Sequence, residues 1–278
     1  MSEQKEKSFV ESMKEDRLKI TGILILILIF VAALVFILSD IGFVDPDDRI
    51  ENVTLVTEDG WEISATHFDG DERGVVLIHM LNQDDGRLVW NDTARKLNEK
   101  GFSVMTIDLR GHGESKTREG ETEETSWREF ESDYGQESWD TEFKKMRFEL
   151  KEAVDYLEEE NQIETLGLVG ADIGSNIAAF YTDYRDADTL VLLSPGTINT
   201  YHRGIPIMGQ VQNYEKPILF VVSEDTGHQY SMTELFYMDS PSDTKEVIEF
   251  EDAGRGTRMM EAEPELEQDI IDWLDEYL

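Results

Sequence analysis

The chain has 278 residues and no cysteine, with 61 acidic residues against 25 basic ones and a formal net charge of −36. Disulfides, thiol chemistry and cysteine-held metals are thereby excluded, and a charge of that sign opposes binding to nucleic acid or to an anionic membrane face. The 40% of hydrophobic residues still suffices for a core, so the acidic excess describes a surface rather than disorder, and one suited to a host living in high salt.

Residues 1–19 form a polar amino-terminal tail, and residues 20–38 then run without a charge. At about 1.5 Å per residue such a helix rises close to the ~30 Å of a bilayer's hydrocarbon, which predicts one transmembrane helix. A cleaved leader is not expected, because no small-x-small site follows Leu38. Lys14, Arg17 and Lys19 precede the span, whereas Asp40, Asp45, Asp47 and Asp48 follow it. That asymmetry predicts a single-pass protein with its amino terminus in the cytoplasm and its globular part outside, the lipid bilayer being its partner through 20–38. Residues 39–49 read as a tether, and 50–278 are enough chain for one well-cored domain.

Within that domain, Asn52 to Val56, the turn Glu58-Asp59-Gly60 and Trp61 to His67 predict an opening hairpin. Val75 to Ile78 is an apolar strand ending at His79, and Trp90, Ala94 and Leu97 follow at helical spacing. Val104 to Ile107 is a second strand, opening onto Asp108-Leu109-Arg110-Gly111-His112-Gly113-Glu114-Ser115. The acidic stretch 119–140 reads as a solvated loop near that turn. Trp139, Phe143, Met146, Leu150, Val154 and Leu157 mark one face of an amphipathic helix. Leu166 to Val169 then leads through Gly170-Ala171-Asp172-Ile173-Gly174 into a helix at Ser175 to Phe180. Leu190 to Leu193 and Ile218 to Val222 are two more strands, and Leu266, Ile270, Trp273, Leu274 and Tyr277 line the last helix. Strand patterns alternating with helical ones predict an α/β fold, a mostly parallel sheet with helices on both faces.

The spacing of Gly170 and Gly174 is that of a nucleophile elbow, with Asp172 where a serine usually stands. The histidine-ended strand, the D-x-R-G-H-G-x-S turn, this elbow, Leu193-Ser194-Pro195-Gly196 and Ala253-Gly254-Arg255-Gly256-Thr257 come in the order used by the α/β hydrolase family. From residue 50 to 278 the chain resembles that family, especially its small archaeal-type, serine-esterase and dienelactone-hydrolase-like members. The resemblance implies an elbow nucleophile, a late-loop histidine as base and an acid that orients it. Those places here hold Asp172, Arg255, and Glu224 or Asp225. It also implies an oxyanion hole made by the backbone amides of Leu81 and Ile173.

Arginine stays protonated and offers only donors, so Arg255 cannot serve as a general base. An aspartate could attack an alkyl carbon, as in the dehalogenase and epoxide-hydrolase branches, but those use a histidine for turnover and a large helical cap. Between Gly196 and Lys216 there is little room for one. The two substitutions together predict a bidentate Asp172–Arg255 salt bridge that lowers the carboxylate's pKa, with Asp225 near enough to place Arg255 between two acids. His79 and His112 read as structural, His67 and His202 as residues of the hairpin and of a loop, and His228 as the candidate for a relocated base. No spacing suggests a metal or cofactor. The reading is a domain with a degenerate triad that binds a small carbonyl or carboxylate ligand or acts as a scaffold. The alternative is an active hydrolase of esters or lactones with Asp172 as nucleophile.

Overall fold

The computed structural model describes Phe30 and residues 49–121, 124–128, 141–196 and 207–278. Residues 49–278 make up one unit. Apart from Phe30, the predicted span 20–38 lies outside the described residues, as do the tail, nearly all of the tether, Trp139, His202 and most of the acidic stretch. Among the described residues no helix is long and apolar enough to cross a membrane.

The strands are β1 (Ile50–Val56), β2 (Trp61–Phe68), β3 (Arg73–Ile78), β4 (Ser103–Ile107), β5 (Thr117–Arg118), β6 (Thr165–Ala171), β7 (Thr189–Leu193), β8 (Ile218–Ser223) and β9 (Lys245–Phe250). They lie in the order β1-β2-β4-β3-β6-β7-β8-β9, with β5 pairing β2. The pairs of β2 with β1, β4 and β5 are antiparallel, while every pair from β4–β3 to β8–β9 is parallel. The helices are α1 (Asn91–Glu99), α2 (Glu142–Lys145), α3 (Arg147–Asn161), α4 (Ile173–Tyr181), α5 (Met208–Asn213), α6 (His228–Asp239), α7 (Arg258–Ala262) and α8 (Glu265–Tyr277). All five predicted strands and the opening hairpin are present. β5 and β9 are additional to them.

Alternation along the strands feeds two cores. Val76 and Ile78 face one, with Leu168, Ile177 and Leu150, whereas Val75 and Leu77 face the other, with Val169, Leu97 and Ile270. The stripe Phe143, Met146, Leu150, Val154 and Leu157 is buried as expected. It is carried by two helices rather than one, because the chain turns at Met146 between α2 and α3.

Arg110 fastens this face. Its fully buried guanidinium reaches Glu149 at 2.6 Å, Glu142 at 2.7 Å and Asp59 at 2.8 Å, tying α2 and α3 to the hairpin turn. Burial opposes its charge, but the attraction of Glu149 and Asp59 outweighs it and keeps the arginine protonated.

Register decides where the site lies. Ile78 pairs Ile107 and Gly170, and Ala171 pairs Leu193. The carboxyl ends of β4, β3, β6 and β7 therefore finish level and deliver Asp108, His79, Asp172 and Ser194 to one edge of the sheet. In open α/β sheets that edge is where ligands are handled.

Candidate active site at the elbow

The turn from β6 into α4 is sharp enough to exclude a Cβ at both flanking glycines. A Cβ on Gly170 would meet the backbone of Gly174 at 2.3 Å, and one on Gly174 would meet Ile78 O at 2.6 Å. Asp172 between them has φ 53° and ψ −110°. A side-chain-bearing residue held there stores roughly 1–3 kcal/mol of strain, which the surrounding packing must offset. Around it, Asp172 N donates to Leu193 O at 2.8 Å. Ser175 Oγ lies 2.6 Å from Gly170 O and 2.8 Å from Leu193 O.

The Asp172 side chain is 0% exposed. The amides of Ile173 and Leu81, the pair implied as an oxyanion hole, are near enough to favour its ionised form. Neither of its oxygens, however, has a hydrogen-bond partner of acceptable geometry. Arg255 Nη2 stands 3.8 Å from Asp172 Oδ2, and the arginine side chain is 35% exposed. The predicted pairing of these residues is therefore present as a loose contact and not as a bidentate bridge. Its expected effect on the carboxyl is reversed. Burial pushes the Asp172 pKa up, and the Arg255 charge and the two amides only partly counter it.

The late loop is tied down through its backbone and small side chains, while, among the described residues, the Arg255 side chain is held only by its contact with Asp172. Ala253 N donates to Ser223 Oγ at 2.9 Å, Gly254 N to Asp225 Oδ1 at 3.3 Å, and Gly256 N to Ser194 Oγ at 3.0 Å. Thr257 Oγ1 donates to Gln83 Oε1 at 3.0 Å, reaching the loop that carries Leu81. Asp225 is thus occupied by Gly254 and by Ser223 Oγ at 2.5 Å. No ion pair joins it to Arg255 among the described residues, so the arginine does not sit between two acids. Glu224 is exposed in the short turn after β8. His228 starts α6, half-buried, and makes no hydrogen bond or ion pair to Asp172.

His79 and His112 hold the other rim. Leu109 N donates to His79 Nε2 at 3.0 Å, and His79 Nδ1 faces Met80 O at 2.8 Å. Asn82 N donates to His112 Nε2 at 3.3 Å, while His112 Nδ1 faces Arg110 O at 3.1 Å. Both rings are buried with centroids 4.9 Å apart. Burial and the neighbouring imidazole push His112 down to about 3, and burial lowers His79 as well. Neutral rings of this kind shape the Leu81 loop without exchanging protons at neutral pH.

Three further residues support the site in roles that residue identity alone does not reveal. Ser194, at φ 51°, receives Gly256. Asn176 clasps Gly196 through both ends of its amide, at 2.7 and 3.1 Å. Arg87 is buried against Asp108 at 2.5 Å, and Asp108 Oδ1 also accepts from Arg87 N at 2.6 Å. The Ser194-Pro195-Gly196 turn was the one signal in the sequence that pointed to this region.

A parallel sheet carrying a strained elbow after β6 and a loop returning to it after β9 is the framework of a hydrolase fold. A family model of the alpha/beta hydrolase fold matches residues 75–224, and the chain belongs to that family. Solved structures similar to it include an esterase of Pyrococcus furiosus, at 16% identity and TM-score 0.62, covering 85% of this chain and 97% of the esterase. A dienelactone hydrolase of Anabaena variabilis is similar at 16% identity and TM-score 0.60, covering 83% and 99%. An esterase of Exiguobacterium antarcticum is similar at 11% identity and TM-score 0.59, covering 81% and 100%. At these identities the likeness shows the fold. A comparison with curated proteins finds no match.

Proposed function

We propose that residues 50–278 form an α/β-hydrolase-fold domain that no longer performs serine-type hydrolysis and instead binds a small carbonyl or carboxylate ligand or acts as a scaffold, held to a bilayer by residues 20–38. The observation that carries this reading is the position of the Asp172 carboxyl. It lies near enough to the Leu81 and Ile173 amides for both to favour its charge, so an acidic group already stands beside the donors that an acyl intermediate's oxyanion would need. Acyl transfer also requires a nucleophile with a proton acceptor in reach, and the late loop brings a guanidinium. Turnover through Asp172 as nucleophile fares no better, because both oxygens are buried and, among the described residues, no imidazole hydrogen-bonds to them. Arg255 donates no hydrogen bond among the described residues, so its donors are available to an anionic ligand at the mouth of the site. Membrane attachment rests on the uncharged run 20–38 alone, and extraction of cell membranes with alkaline carbonate tests it.

The catalytic question is tested with 4-nitrophenyl acetate. Wild type should match the uncatalysed rate, and Asp172→Ser with Arg255→His should exceed it by roughly a hundredfold, the scale of a restored general base. Wild-type turnover that disappears in Asp172→Asn would overturn the proposal.

A further inference from the structure

We infer that a groove at the end of α4 remote from Asp172 binds a small organic molecule carrying a single carboxylate on a flat apolar body. The inference is independent of the elbow, which α4 separates from the groove by about 13 Å of helix. The groove encloses about 430 Å³ and is lined by Phe148, Tyr181 and Tyr184 together with Arg147, Lys151 and Arg185. That volume falls in the range of small-molecule sites.

Two of the three cations are already neutralised. Lys151 pairs with Asp155 at 2.5 Å and Glu152 at 3.2 Å, and Arg185 pairs with Glu158. Arg147 differs. Its guanidinium lies over the Phe148 ring at 4.3 Å and near the Tyr184 ring at 5.3 Å. Its single donation is from Nη1 to Lys144 O at 2.8 Å, and it has no carboxylate partner among the described residues. In a chain with 61 acidic residues against 25 basic ones, such an arginine is conspicuous on charge alone. A guanidinium stacked on rings keeps its in-plane N–H groups free for a carboxylate. Tyr181 supplies the second polar group. It is 4% exposed, lines the groove and has no hydrogen-bond partner among the described residues. Tyr184, at 58% exposure, offers an open ring face for the ligand's apolar body. Glu58, Asp155 and Glu158 also line the groove, so a dianion such as a phosphate ester meets more repulsion than a carboxylate does.

The test is calorimetric titration of the full chain in detergent with 3-phenylpropionate, against 3-phenylpropanol and phenyl phosphate. Saturable binding of the carboxylate is expected, with Kd of roughly 0.1–1 mM, and weaker binding of the other two. Arg147→Gln should weaken it about tenfold or more, and Tyr181→Phe, which deletes one hydroxyl, several-fold, with circular dichroism unchanged. Should Arg147→Gln fail to fold, Tyr181→Phe and the three-ligand comparison still decide. No saturation by about 10 mM, equal binding of the alcohol, tighter binding of the phosphate ester, or loss of binding in Arg255→Gln but not in Arg147→Gln would each overturn the inference.

Discussion

Arg255 meets Asp172 through one contact, Nη2 to Oδ2 at 3.8 Å, an attraction without a hydrogen bond. The arginine is partly solvated, whereas the carboxyl is sealed, so the cation's charge is screened while the anion bears the full loss of water. That imbalance is why the carboxyl's pKa moves upward.

The sign of the resulting pH dependence follows directly. A carboxyl whose pKa is raised on folding keeps in the native state a proton that the unfolded chain releases. Its contribution to stability is present below the ordinary value of 3.8 and declines as pH rises toward the raised native value. Asp172→Asn removes the penalty and should raise the melting temperature at pH 7, by roughly 2–4 °C for each kcal/mol recovered. The advantage over wild type should shrink on acidification. Destabilisation by this substitution at neutral pH would mean that the contact with Arg255 outweighs burial.

His112 runs the other way. With a native pKa pushed down to about 3 by burial and by His79, it favours folding above the unfolded imidazole's 6.5 and withdraws that support as pH falls toward 3. Melting curves between pH 7 and 4 should therefore show an acid-side loss that is shallower in His112→Gln. An unaltered slope would exclude His112 as its source.

Arg110 stands among three carboxylates, and Glu149 is as deeply buried as the arginine. Arg110→Gln strips the fully buried Glu149 of its guanidinium, forcing it to stay an unpaired charge or to take up a proton, and should lose about 3–5 kcal/mol in urea unfolding. Adding Glu149→Gln should recover part of the loss. A double variant no more stable than the single one would show that packing, not charge, holds α3 to the hairpin.

Net charge makes the fourth prediction. With a formal charge of −36, self-repulsion across the surface weakens as the screening length falls from about 10 Å at 0.1 M salt to about 3 Å at 1 M. The melting temperature should climb over that range in potassium chloride. A flat or falling curve would remove the high-salt reading of the composition.

Much of this was readable from the residues alone. Buried runs such as Val75 to Ile78 and Ile218 to Val222 announce central strands because both of their faces are apolar. β9 was hidden because Lys245, Glu246 and Glu249 interrupt the sequence Lys-Glu-Val-Ile-Glu-Phe, as befits a strand with a neighbour on one side only. At the site, the glycine spacing placed Asp172 on the elbow and the late loop brought Arg255 to it. The sequence could not weigh burial against attraction, which depends on a carboxyl at 0% exposure facing a cation at 35%. Nor could it foresee that Asp225 is occupied by Gly254 N, because a main-chain donor leaves no trace in residue identity. Asn176 escaped for a related reason: in a helix's first turn it looks like any polar residue until the Gly196 backbone is seen against it.

The two outer strands of the sheet, β1 and β9, have further significance for the protein's colloidal behaviour. Each leaves a row of main-chain donors and acceptors open along one side, the template on which another chain can add in cross-strand aggregation. Glu51 on one border and Lys245, Glu246 and Glu249 on the other place formal charges along those rows. A second molecule adding to either border must strip water from these charged side chains, so the same residues that disguised β9 act as gatekeepers against fibre growth.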